Sequence, residues 1–200
     1  MNKLVKKLML VAAMLMLAAG PSFAADAIRI GLMCPLTGKW ASEGQDMQQI
    51  VSLLVSEVNK AGGINGKQIE LIVEDDAGDP RTASLAAQKL ASAGVMAVIG
   101  TYGSAVTEAS QNIIDEAEIM QIATGSTSVR LTEKGLPLFF RTCPRDDEQG
   151  RVASKVIAAK GFKKVAILHD NSAYAKGLAD EAKQRILDKK SADIVFFDAL

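Results

Sequence analysis

Two loops rich in glycine, serine and threonine carry the residues whose chemistry is easiest to interpret. Gly100–Ser104 leads directly into a helical pattern, and Ala123–Ser128 follows the next apolar run. Backbone N–H groups at a helix N-terminus, with hydroxyls beside them, form a site for an anion such as a carboxylate. We therefore predict that Ser104 and Thr127 hydrogen-bond an anion and that a backbone carbonyl near Ser126 accepts from an ammonium. Alternatively, the first serine only caps its helix and the second loop is only a turn.

Enzyme chemistry has little support in the sequence. It contains no G-x-S-x-G elbow, no Walker loop and no G-x-G-x-x-G after an apolar run. Asp75 and Asp76 are adjacent, so in an extended segment they point to opposite faces, and we expect them to cap helices or hold a loop. His169, the only histidine, is expected to orient a loop or line a cleft. We predict no enzyme, no cofactor and no metal site.

Segments with strand and helix patterns alternate along the chain, which predicts an α/β fold with a parallel, doubly wound sheet. Asp79 and Pro80 predict a helix N-terminus, with the aspartate as its N-cap. Helices are predicted at 44–60, 80–93, 104–116, 148–160 and 173–189, and strands at 27–33, 68–74, 95–99, 119–122, 138–142, 164–169 and 193–197. Such sheets bind ligands at the carboxyl ends of their strands, where the two polar loops lie.

Residues 1–24 have the pattern of a secretory signal peptide. Three lysines precede the apolar run 8–19, and residues 22–24 form a small-x-small cleavage pattern. The apolar run is shorter than the roughly 20 residues that span a bilayer, so an uncleaved anchor is the weaker alternative. We therefore predict an exported protein.

Charge and cysteine content narrow the possible partners. The chain has 23 basic and 23 acidic residues, and removal of the three signal-peptide lysines gives a net charge of −3. A nucleic-acid-binding protein needs a basic surplus, so we predict no nucleic-acid partner. Cys34 and Cys143 would enter an oxidising compartment, where they could pair or remain buried thiols; the sequence leaves both open.

Six segments follow one another in an order and spacing that is specific when taken together: Pro35–Gly44, Asn59–Pro80, Ile99–Ser104, Thr124–Ser128, Phe140–Gly150 and Val165–Ala179. Together they resemble the periplasmic leucine/isoleucine/valine-binding proteins, the type I amino-acid-binding components of ABC transporters. The resemblance implies two α/β lobes that close on a ligand. Lobe 1 would span 25–143, and lobe 2 would begin with 144–200.

The resemblance also implies roles for individual residues. Ser104 and Thr127 would bind the α-carboxylate of an amino acid. Ser126 would offer its backbone carbonyl to the α-ammonium, and Tyr174 would reach in from the second lobe. Tyr102 lies in a matched loop and is a further candidate for ligand binding.

Two departures from the family pattern bear on specificity. Glu43 stands where leucine binders carry a bulky aromatic in the first loop, so we include it among the candidate ligand-binding residues. Gly78 and Gly103 occupy two positions that some members join by a disulfide. Because of Glu43, the side-chain pocket is not expected to be purely apolar.

The expected function is that of a monomeric receptor that delivers an amino acid to an ABC transporter permease without catalysis. The alternative is a sensory ligand-binding domain of the same fold, for an amide or another small molecule. The chain stops at Leu200, shortly after a predicted strand, while the family is nearly twice as long. We therefore expect an N-terminal fragment with an incomplete second lobe and weakened ligand binding.

Overall fold

The computed structural model describes residues 27–200 and contains two parallel sheets. The signal peptide predicted for residues 1–24 lies outside these residues. The strands are β1 (Ile28–Cys34), β2 (Ile69–Asp75), β3 (Ala97–Ile99), β4 (Met120–Ala123), β5 (Phe139–Arg141), β6 (Lys164–His169) and β7 (Asp193–Ala199). The helices are α1 (Ala41–Lys60), α2 (Pro80–Ser92), α3 (Ser104–Glu116), α4 (Arg130–Glu133), α5 (Asp146–Lys160) and α6 (Ala173–Asp188).

The first sheet confirms the predicted doubly wound fold. Its strand order is β2-β1-β3-β4-β5, and all four neighbouring pairs are parallel. The chain moves from β1 to β2 on one side and then crosses back to β3 on the other. With right-handed crossovers, this reversal places α1 on one face and α2 and α3 on the opposite face. A crevice therefore opens between the loops that follow β1 and β3.

The core of this five-stranded unit lies between the sheet and α2 and α3. Met33, Leu90, Val98 and Ile114 are buried there. The glycine at position 31 lets α2 approach the sheet, because a Cβ at Gly31 would lie 3.0 Å from a methyl carbon of Leu90. The loops at the carboxyl edge of the sheet therefore extend from a packed core.

The second sheet consists of β6 and β7, which are parallel, and α5 and α6 pack against each other beside it. The backbone N–H of Asp146, at the start of α5, donates to the carbonyl of Thr127 at 3.0 Å. This bond links the two-stranded unit to the loop after β4. The assignment of residues 25–143 and 144–200 to separate lobes stays a prediction.

Several boundaries differ from the sequence prediction. Asp79 caps α2 as predicted, its Oδ1 accepting from the N–H groups of Arg81 and Thr82 at 3.0 and 2.9 Å. The interpretation of Ser104 as an N-cap is wrong, because Gly103 is the N-cap and Ser104 is the first helical residue. The one-turn helix α4 was not predicted, since four residues are too few to show helical periodicity.

Both cysteines are free thiols in the structure. Cys34 is buried at the end of β1, and burial, with the nearby charges of Asp76 and Asp75, raises the pKa of its thiol to about 12. Burial also raises the pKa of Cys143, whose Sγ lies 3.4 Å from the carbonyl of Ser126. Within residues 27–200, every helix is too short or too polar to cross a membrane.

Candidate functional site

A cavity of about 340 Å³ lies at the carboxyl edge of the first sheet, where the strand order reverses. Loops from both units contribute to its wall. The lining residues are Lys39, Trp40, Tyr102, Gly103, Ser104, Ala105, Gly125, Thr127, Asp170, Ser172, Ala173 and Tyr174. Four predicted site residues are therefore brought together: Tyr102, Ser104, Thr127 and Tyr174. A larger cavity between α5, α6 and β6 has a mostly apolar lining, and of the predicted site residues only Tyr174 lines it.

Ser104 and Thr127 form the polar end of this cavity. Ser104 opens α3, whose first N–H groups have no acceptor within the helix. Its hydroxyl accepts from the N–H of Ser128 at 3.2 Å, so the two loops are joined directly beside Thr127. The Thr127 hydroxyl is buried and has no hydrogen-bond partner among residues 27–200. Two hydroxyls and a helix N-terminus thus converge on a space that suits a carboxylate.

Buried hydroxyls hold the loop after β4 against the loop after β3. Thr107 lies between Thr101 and Ser126, with 2.5 Å separating its Oγ1 from the Ser126 hydroxyl. The Ser126 hydroxyl also lies 3.2 Å from the carbonyl of Tyr102, to which it can donate. These contacts fix the distance between the loops that carry Ser104 and Thr127.

The structure places two predicted residues away from the cavity wall. Ser126 is buried, and its carbonyl accepts from the Arg141 guanidinium at 3.0 Å, so an ammonium would have to share this acceptor. Glu43 lies in the first turn of α1 with its side chain exposed. The ligand-binding roles of both residues stay predictions.

The two-stranded unit contributes the opposite wall. Tyr174 lines the cavity together with Tyr102; burial raises the pKa of its phenol, and the charges of Asp146 and Tyr102 raise that pKa further. Asp170 and Lys39 both line the cavity, and the pKa of Asp170 is lowered by hydrogen bonds from Ser172 and, to a smaller extent, by the charge of Lys39. His169 orients this loop as expected, its Nδ1 accepting from the N–H of Asn171 at 3.1 Å.

Asp146 is a polar residue of the site that the sequence analysis missed. Its side chain is fully buried, and its Oδ2 has no hydrogen-bond partner among the described residues. Burial raises the pKa of Asp146, although the nearby Thr127 hydroxyl and the Arg141 guanidinium lower it. It lines a second groove that shares Ser172 and Ala173 with the cavity. A carboxyl group therefore lies beside the site proposed for an anion.

Trp40 is a second residue that was missed. Its ring meets that of Tyr102 edge to face, with centroids 5.7 Å apart. The indole lies directly against Gly78 and Gly103, the two positions that some family members join by a disulfide. An aromatic residue in the loop after the first strand was the available signal, because that loop lies at the switch point of the sheet.

The loop that carries Trp40 is held by Asp75, as the sequence analysis expected. The Asp75 carboxylate accepts from the N–H of Leu36 at 2.8 Å and from the hydroxyl of Thr37 at 2.6 Å. Burial alone would raise the pKa of Asp75, but its hydrogen bonds to Thr37, Ala77 and Leu36 together lower it. Its neighbour Asp76 is buried, with one oxygen accepting from the N–H of Gly78 at 2.8 Å and the other unpaired among residues 27–200.

We expect Asp76→Asn to increase the free energy of unfolding by about 1–3 kcal/mol at pH 8. Burial raises the pKa of Asp76 from 3.8 to about 6, so its ionised form costs stability above pH 6. That cost disappears as the pH falls through 6 towards 3.8, because the folded state then binds the proton more tightly than the unfolded state. Asparagine keeps an acceptor for Gly78 and carries no charge.

Urea unfolding of both proteins between pH 4 and pH 8 measures this effect, and the difference should shrink towards pH 4. Asp79→Asn is the matched control, because hydrogen bonds from Thr82 lower the pKa of that exposed carboxylate. It should give no gain at pH 8. An Asp76→Asn variant that is less stable than the wild type at pH 8 would show that the ionised Asp76 carboxylate does not destabilise the folded protein.

A parallel sheet with a cavity at its switch point, bordered by loops of a second α/β unit, is the arrangement of the type I periplasmic binding protein fold. Residues 27–195 match the family model of the periplasmic binding proteins. The chain therefore belongs to the periplasmic binding protein family.

Its relatives support this assignment. Leu/Ile/Val-binding protein homolog 1 of Brucella abortus is 41% identical over 172 residues, which are 85% of this chain and 46% of that protein. The leucine-, isoleucine-, valine-, threonine- and alanine-binding protein of Pseudomonas aeruginosa is 40% identical over the same shares. The branched-chain amino acid transporter substrate-binding protein of Streptococcus pneumoniae, solved with isoleucine, superposes with a TM-score of 0.78 at 28% identity, covering 88% of this chain and 50% of that one. The chain thus spans about half the length of these relatives.

Proposed function

We propose that this protein captures an amino acid, in the zwitterionic form, between two lobes in the periplasm and delivers it to the permease of an ABC transporter. One observation carries the proposal. The Thr127 hydroxyl, which has no hydrogen-bond partner among residues 27–200, lines the cavity with Ser104, the first residue of α3, and the buried carboxyl of Asp146 lies close to Thr127. A group of hydrogen-bond donors with a carboxyl group beside it matches the α-carboxylate and α-ammonium of one amino acid.

In this proposal, Ser104 and Thr127 hold the α-carboxylate, while Asp146 and the carbonyl of Ser126 face the α-ammonium. Tyr174 closes the cavity from the second lobe. The side chain then faces the remaining wall, which includes Trp40 and Tyr102. The relatives that bind branched-chain amino acids favour leucine, isoleucine and valine as ligands. The protein acts as a monomer, without catalysis and without nucleic acid.

Thermal unfolding of the full-length gene product against a panel of amino acids tests this proposal. A ligand that binds only the folded state raises the melting temperature, and a concentration 1,000 times Kd stabilises by about 4 kcal/mol. We expect leucine, isoleucine or valine to give the largest shift. Isoamylamine, which lacks the carboxylate of leucine, and 4-methylpentanoate, which lacks the ammonium, should give little. A cooperative transition that no amino acid moves would reject the proposal.

A further inference from the structure

Trp40, the only tryptophan of the chain, lines the cavity, whereas Asp146 lines the neighbouring groove. The cavity and the acidic groove share Ser172 and Ala173. Trp40 and Tyr102 line the cavity alone, whereas Asp146 lines the groove alone. In the proposed binding mode, the lining left for the side chain of the ligand includes the aromatic rings of Trp40 and Tyr102.

The indole of Trp40 packs against two glycines, Gly78 and Gly103. A Cβ at Gly103 would lie 2.7 Å from the indole carbon Cζ3, and a Cβ at Gly78 would lie 2.8 Å from Cε3. Both distances are too short for a real contact, so any larger residue would push the indole away. The Tyr102 ring, at 5.7 Å, and the Lys39 ammonium, 4.3 Å over the ring centroid, also contact the indole. Trp40 is thus positioned from several sides.

We infer that Trp40 is the specificity-determining residue of this cavity. Its indole closes the side-chain end and limits the ligand to amino acids with aliphatic side chains of modest size. The inference rests on the proposed function and deepens it. The cavity volume, about 340 Å³, is at the lower end of the range of about 300–1,000 Å³ for small-molecule sites, so a wall of this size controls what fits.

Trp40→Ala tests the size limit directly. Calorimetric titration of the full-length gene product with leucine and with phenylalanine gives both affinities. We expect the variant to bind leucine about tenfold more weakly, because the aliphatic side chain loses its apolar wall. The ratio of phenylalanine to leucine affinity should rise at least about tenfold, because the larger ring gains space. Trp40→Phe, which keeps an aromatic wall and guards against misfolding, should lie between.

Gly103→Ala tests whether the small size of Gly103 positions the indole of Trp40. The backbone of Gly103 has φ −92°, which alanine adopts without strain, and only Trp40 lies within 3.4 Å of the added Cβ. In the wild-type background, the methyl group should push the indole into the cavity and weaken leucine binding about tenfold. In the Trp40→Ala background the same change should have no effect, because the atom it collides with is gone.

The outcomes separate this inference from the proposed function. Equal losses for leucine and phenylalanine in Trp40→Ala would overturn the specificity role while leaving amino-acid binding intact. An equal loss of leucine affinity on Gly103→Ala in both backgrounds would show that Gly103 does not act through Trp40. If the wild type binds no amino acid at all, the proposed function fails, and the assignment of Trp40 fails with it.

Discussion

We expect the Thr127→Ala variant to bind leucine about 10- to 100-fold more weakly than the wild type. The Thr127 hydroxyl is buried without a partner among residues 27–200, and it lines the cavity beside the N-terminus of α3. A hydrogen bond to a charged group contributes about 1.5–3 kcal/mol, which corresponds to this loss of affinity. Calorimetric titration measures it.

Two control variants sharpen this prediction. Thr127→Ser keeps the hydroxyl and should bind leucine nearly as tightly as the wild type. Thr124→Ala removes a hydroxyl from the same loop, but that hydroxyl donates to the carbonyl of Thr101 at 3.3 Å and does not line the cavity. Its affinity for leucine should stay close to that of the wild type. Equal losses in Thr124→Ala and Thr127→Ala would mean that the loop as a whole matters, and not this hydroxyl.

Arg141→Met should lower the free energy of unfolding by about 2–4 kcal/mol and also weaken leucine binding. The Arg141 guanidinium donates to the carbonyls of Ser126 and Ser128 at 3.0 and 2.9 Å, and to the hydroxyl of Thr132 at 2.8 Å. Methionine would leave both carbonyls without this donor. The loop that carries Thr127 would then lose its support from β5.

Chemical denaturation and titration of the same protein samples measure the two effects of Arg141→Met. Arg130→Met is the matched control, because Arg130 pairs with Glu108 at 3.1 Å on the surface. An exposed ion pair of this kind contributes at most about 1 kcal/mol. If both variants lose the same stability and keep full affinity, Arg141 does not position the ligand loop.

The fold was predictable because alternating strands and helices repeat one local signal many times. The continuous apolar run at 95–99 and the Asp79–Pro80 start of α2 are both strong signals, and the structure has a strand and a helix at those positions. The end of a strand is less well defined. β3 contains only Ala97–Ile99, because pairing with β1 and β4 fixes its length and an apolar pattern does not.

The candidate site was predictable only in part. Hydroxyl-bearing residues at the ends of strands were found because parallel strands bring their carboxyl ends to one edge. Trp40 was missed because its position depends on two glycines, Gly78 and Gly103, that lie far from it in sequence. Asp146 was missed because burial, which sequence spacing does not reveal, is what makes its carboxyl unusual.

A crystal structure of the full-length gene product with bound leucine tests the central claim most directly. The predicted result places the leucine carboxylate within hydrogen-bonding distance of the Ser104 and Thr127 hydroxyls, with the ammonium facing Asp146 and the side chain against Trp40. A leucine bound in the reverse orientation, or outside the cavity between the two units, would contradict the account.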